Sequence, residues 1–249
     1  MKYSIFFLCN LFLHFQAFAQ TVHVSYVRVE NNREKIELME EKYKHLNQDI
    51  KKDFAEMINF EEFFVLNYEN GESIFFLDQQ KSQEIKDSEL NFSNISVQVI
   101  HQKSKINPRI YKNLSQNRLL ELKDVFGNGF IINDTLSINW QNHSEKKTIS
   151  GKICVKATTV WNEMEVEAWY AEDIPVADGP DIFSGLPGLI LELKTNKYNY
   201  TATEVLHLNT PVIISKPTDY PEMSRNEFDK MYSKKIKQMY PEGSSITIY

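Results

Sequence analysis

The chain has 249 residues with 34 acidic and 28 basic side chains, a formal net charge of −6 at pH 7. A mildly acidic protein without a dense basic stretch is a poor nucleic-acid binder, because phosphates are held by clustered Lys and Arg. Its length allows one substantial core, and with only 2 cysteines the fold is not a disulfide-stapled scaffold.

In chain order, Lys2, the apolar run Ile5 to Phe15 and the small-residue site Ala17-Phe18-Ala19 read as a secretory signal peptide over residues 1–19. Residues 20–249 then form a single mature domain, exported to the periplasm or the cell exterior. No later run is long and apolar enough for a transmembrane helix. Cleavage leaves Cys154 alone, so no intramolecular disulfide can form.

Val22 to Val29 alternates as a half-buried strand does. Ile36, Met39, Tyr43, Leu46, Ile50, Phe54 and Met57 recur at helical spacing and predict an amphipathic helix laid on a sheet. Phe63 to Tyr68 and Ser73 to Leu77 flank Asn70-Gly71, a pair that accepts the positive φ values of a type I′ turn, and predict a hairpin. Ile95 to Ile100 alternates again, and Asn107 to Lys123 fits short strands or a helical turn equally well. Phe130 to Gln141 and Thr148 to Thr159 read as strands paired around the polar turn Asn142-His143-Ser144-Glu145. Met164 to Tyr170, Leu189 to Lys194, Tyr198 to Leu208 and Val212 to Ile214 supply further strands. Ser224 and Glu227 fit a capping box that opens a C-terminal helix striped by Phe228, Met231, Tyr232, Ile236 and Met239.

The sharpest feature is Gly179 to Ile190. Pro187-Gly188 predicts a type II turn with positive φ at Gly188, Gly185 predicts a close pass of the chain against a neighbouring strand, and Asp178-Gly179-Pro180 forms a second turn. Phe183 is the apolar anchor between them. The complete hexapeptide Gly185-Leu186-Pro187-Gly188-Leu189-Ile190 resembles the signature of the GLPGLI family. So do Trp140, the run Ile149 to Ala157, Ala168-Trp169-Tyr170 with Ile174-Pro175, the segment Phe64 to Phe75, and the stretch Arg225 to Met239. This resemblance implies a secreted or envelope protein of Bacteroidetes, in a family without an established molecular activity. Lys152 departs from the aromatic residue that relatives carry after the first glycine of the Ile149 to Ala157 run.

Several chemistries were weighed against their plainer readings. Ser184 lacks the Gly-x-Ser-x-Gly elbow of a hydrolase nucleophile, and the histidines are scattered. Cys154 reads as a small buried hydrophobe in preference to a nucleophile. Glu163, Glu165 and Glu167 share one strand face, which suits cation binding or the wet side of a strand. The glycine-rich stretch precedes a strand and lacks a Gly-Lys-Ser/Thr ending, so it is no phosphate loop. No catalytic, cofactor or metal residue is assigned.

The expected fold is therefore α+β and β-rich: a curved, half-barrel-like antiparallel sheet carrying an N-terminal and a C-terminal helix, with a closed β-barrel as the alternative. The expected function is non-enzymatic binding or accessory work in the cell envelope. An apolar groove built around Trp169, Tyr170, Gly179, Pro180, Phe183, Gly185, Leu186, Pro187, Gly188, Leu189 and Ile190 would receive a peptide, protein or lipid. The alternatives are a hydrolase acting on peptides or envelope polymers, or an interaction subunit of an outer-membrane assembly.

Overall fold

A computed structural model describes residues 21–31, 61–84, 88–92, 95–99 and 106–239, with isolated positions 37, 41 and 44. The signal peptide and the helix expected over residues 36–57 lie outside the described residues, apart from those isolated positions. The strands in chain order are β1 (Thr21–Glu30), β2 (Glu61–Glu69), β3 (Glu72–Leu77), β4 (Ser88–Phe92), β5 (Ile95–Val99), β6 (Arg109–Asn113) and β7 (Arg118–Val125). They continue with β8 (Asn128–Thr135), β9 (Gln141–Ile149), β10 (Lys152–Trp161), β11 (Met164–Ala171), β12 (Leu189–Lys194), β13 (Tyr198–Leu208) and β14 (Glu222–Ser224). One helix, α1 (Arg225–Met239), closes the described chain.

Twelve strands form one sheet in the order β14-β8-β7-β6-β3-β2-β1-β13-β12-β11-β10-β9, while β4 and β5 pair separately. The twelve-stranded sheet is open: β14 and β9 are its edges and do not meet, which sets aside the closed barrel. Two antiparallel meanders, one on each side, join along the β1–β13 seam, where Val22 lies opposite His207 and Arg28 opposite Tyr200. Only β14 runs parallel to its neighbour, β8.

Tight turns set the local registers. Asn70 and Gly71 have φ of 50° and 86°, the expected type I′ hairpin between β2 and β3. Phe126-Gly127, Ser150-Gly151 and Asn162-Glu163 are built the same way. The Ser150-Gly151 hairpin corrects the reading of residues 142–145. They lie inside β9, and the reversal comes later, at Ser150-Gly151. β9 misled because it is an edge strand, wet on both faces and interrupted by an irregularity opposite Val155 to Ala157, so it has no apolar alternation to read. β8 pairs with β7 and not with β10, Asn107 to Lys123 holds β6 and most of β7, and Val212 to Ile214 is not a strand.

The two faces of the sheet are covered differently. The inner face gathers Val22, Val24 and Tyr26 from β1, Leu66 from β2, Phe75 from β3, Ala168 from β11, Leu193 from β12 and Tyr200 from β13. Into it packs the chain between β11 and β12, through Ile174, Val176, Phe183 and Leu186, all buried. At about 1.5–3 kcal/mol for each large apolar side chain buried, this loop is part of the core and not a surface excursion. On the other face, Ile74, Tyr111, Leu120, Leu122 and Ile131 lie under Ile214 and Tyr220 of the segment that follows β13. Helix α1 seats Phe228 on Val125 and Ile132. Its first turn is closed as expected: Ser224 N–H donates to Glu227 Oε2 at 2.8 Å and Glu227 N–H to Ser224 Oγ at 3.3 Å.

The two glycines of the hexapeptide exchange their expected roles. Gly185 carries the positive φ, +92°, with open space around it. Gly188 is not in the left-handed region, and a Cβ there would stand 2.2 Å from the Ala171 carbonyl oxygen. The type II turn at Pro187-Gly188 is therefore replaced by a close backbone crossing. Gly188→Ala should cost at least the roughly 1–3 kcal/mol of an overpacked core. Gly185→Ala should cost about 1 kcal/mol of backbone strain. Urea denaturation of both variants checks this, and equal losses would contradict the assignment.

Candidate functional site

The sequence between β11 and β12 folds back on itself through its own backbone. Ile174 N–H donates to Ala171 O, Gly185 N–H to Ala177 O at 2.9 Å, Leu189 N–H to Ile174 O at 3.0 Å and Ile190 N–H to Asp178 O at 2.9 Å. Gly179 lies beneath Ile190, whose Cβ would be 2.6 Å from a Cβ placed there. Trp140 caps the far side, its indole N–H donating to Ser184 O at 2.8 Å and its ring 6.2 Å from that of Phe183. The loop is thus wedged against the inner face between the two halves of the sheet.

Its deepest anchor is ionic. Lys112 of β6 places Nζ 2.5 Å from Asp178 Oδ1, and both side chains are 0 % exposed. The same nitrogen donates to Gly179 O at 2.7 Å and Asp181 O at 3.0 Å. Gly179 N–H also donates to Asp178 Oδ1, while Asp178 Oδ2 has no hydrogen-bond partner. Tyr26 lies close by and donates to Ile190 O at 2.6 Å; burial first, and then Asp178, push its phenol well above the usual range. Removing one partner of such a pair leaves a bare charge in the interior. Lys112→Met should therefore destabilise the fold by about 3–5 kcal/mol, measured by chemical denaturation. A loss well under 1 kcal/mol would show that the pair does not hold the loop.

A second polar cluster lies beside it. Arg28 pairs with Glu62, donating from Nε at 2.9 Å and from Nη2, and its guanidinium lies 4.2 Å from the Tyr198 ring centre and 4.8 Å from that of Phe64. Tyr200 OH donates to Asp181 Oδ2 at 3.3 Å. Asp181 adopts a φ of 58°, uncommon for a residue with a side chain. Burial, followed by the charge of Glu121, raises its carboxyl pKa above the ordinary value, against the opposing pull of Lys123. A carboxyl whose pKa is raised on folding stabilises fully below its unfolded pKa, and that contribution is lost as pH rises through the folded value. Asp181→Asn should therefore raise the melting temperature at pH 7, with the gain vanishing in acid; asparagine also tolerates the backbone angle. An unchanged difference across the pH range would refute this.

The expected site residues are placed unevenly. Tyr170, Gly179, Pro180, Phe183, Leu186, Gly188, Leu189 and Ile190 are buried, leaving Gly185 and Pro187 at the exposed apex. Trp169, 8 % exposed, lies on the other face of the sheet from Tyr170, with Lys147 Nζ 4.2 Å from its ring centre and its N–H donated to Glu167. The aromatics therefore do not line a shared open groove: the loop itself occupies the inner face where such a groove would run. Ser184 is buried, and Cys154 is buried with its thiol pushed up to about 11 by burial first and Asp173 second, so neither is an activated nucleophile. Glu163 sits in a turn, and Glu167 pairs with Lys156 at 2.9 Å. Lys152, the departure from the resemblance, pairs with Asp173 at the loop's start at 2.9 Å. Lys112, Asp178, Arg28 and Asp181 were not anticipated. A lone lysine in Arg109-Ile110-Tyr111-Lys112-Asn113 gives no sign that it points inward.

The family described as "Protein of unknown function (Porph_ging)" matches residues 137–192, the segment holding β9 to β11, the wedged loop and most of β12. Among solved structures, PNGF-II in its C2 and P21 space groups is similar, with TM-scores of 0.53 and 0.52 and identities of 16% and 17%. Each match covers 87% of this chain but only 33% and 34% of PNGF-II, so the chain spans about a third of that protein's length. At this identity the likeness is one of fold. No curated protein matches.

Proposed function

We propose that the chain is an exported, non-enzymatic binding or accessory protein of the cell envelope, offering the corner around Gly179 to Ile190 to a protein, peptide or lipid. The observation that carries this reading is the commitment of the loop's reactive and aromatic side chains to the interior. Phe183 and Ser184 are buried, and Asp178 is held against Lys112. What is exposed between Gly179 and Ile190 is the backbone apex at Gly185 and Pro187, a shape held from below by the buried residues around it. Contact surfaces of this kind suit recognition by shape. A role as an interaction subunit of an outer-membrane assembly would use the same surface.

Native mass spectrometry of protein isolated from its own envelope fraction tests the reading, alongside a Gly185→Asp, Pro187→Asp double variant. The expected result is a mature chain beginning at Gln20, with a partner bound to the wild type and lost from the variant. A chain retaining Met1 would refute export. Absence of any partner, or its retention by the variant, would refute the binding surface.

A further inference from the structure

The contacts of Lys112 account for more than a charge pair. Its Nζ has three close neighbours: the carbonyl oxygens of Gly179 and Asp181, and the carboxyl of Asp178 at 2.5 Å. Transfer of one ammonium proton to Asp178 would make the pair neutral without any net change in protons. A neutral amine has two N–H groups and one lone pair. The two carbonyls then accept both N–H groups, and the nitrogen lone pair meets the proton now carried by Asp178 Oδ1 across the short contact. Asp178 is arranged to match. Its Oδ1 also receives the Gly179 N–H, whereas Oδ2, then the carbonyl oxygen, is buried and receives no donor. A lasting carboxylate would ordinarily have both oxygens satisfied.

The geometry points to an intramolecular amide bond between Lys112 Nζ and Asp178 Cγ. Nζ attacks Cγ, forming the N–C bond and moving an electron pair onto Oδ2. The carbonyl then re-forms at Oδ2, the Cγ–Oδ1 bond breaks, and the Oδ1 hydroxyl, held by the Gly179 N–H, leaves as water with one proton from the adjoining nitrogen. No oxidant or further reactant is needed. The reaction occurs once per molecule, the fixed approach of the two groups replaces a chance encounter, and the closed interior keeps water from reversing it. The product joins β6 in one half of the sheet to the loop in the other. Cys154 is a free thiol and supplies no such link among the described residues.

Intact mass measured under denaturing conditions on the purified, folded mature protein decides the matter. The wild type is expected to be lighter than its sequence by one water, and a protease digest to yield a branched peptide containing Lys112 and Asp178. Cyclisation of an N-terminal Gln20 removes ammonia, a different mass. Lys112→Arg should return the full mass. Wild-type protein at full mass after prolonged incubation in the folded state would overturn the proposal, whether or not the variant folds. A one-water deficit that persists in Lys112→Arg would overturn it too.

Discussion

Lys112 and Asp178 meet where water is excluded, and much of the architecture serves to make that meeting tolerable. A buried lysine needs acceptors for its polar hydrogens, and the loop supplies them through two backbone carbonyls as well as a carboxylate. To bring those carbonyls into place the chain must turn sharply at Asp178-Gly179 and again at Asp181, whose backbone lies in the left-handed region. The glycine-proline composition of this stretch follows from that demand. It shapes a plug, with Gly179 passing beneath Ile190 and Gly188 passing against Ala171.

The likeness to PNGF-II is one of fold over most of this chain, and the Porph_ging match falls on the half that contains the plug. Lys112, the cation that receives the plug's polar groups, comes from the other half, outside the matched residues. The two halves are thus complementary across the inner face: one contributes two carbonyls and a carboxylate, the other contributes the positive charge. Neither half alone would bury its polar groups without leaving them unpaired.

Much of this was readable from the amino-acid order, for local reasons. Asn70-Gly71 admits a narrow choice of backbone, so its hairpin was legible, and Ser224 to Glu227 announced the start of α1 by two reciprocal hydrogen bonds. Trp169 and Tyr170 were correctly placed on a strand, but alternation sends them to opposite faces, which argues against a joint groove. What escaped was long-range. That Gly185 rather than Gly188 takes the positive φ depends on where Ala171 lies, and that Lys112 points inward depends on Asp178 arriving there. Edge strand β9 was misread because its exposure on both faces removes the periodicity on which strand assignment rests.

The seam between β1 and β13 joins the first described strand to one that begins almost at the end of the sheet-forming sequence. A nascent chain therefore presents β1 long before its second neighbour exists, with only β2 able to cover one side. Closure by such a distant partner is entropically slow compared with the zipping of the two-residue turns. Synthesis from the N-terminus accordingly leaves Val22 and Val24 in a half-finished sheet until residues near 200 have been made. This fold ties the timing of its own completion to the arrival of a strand far along the chain.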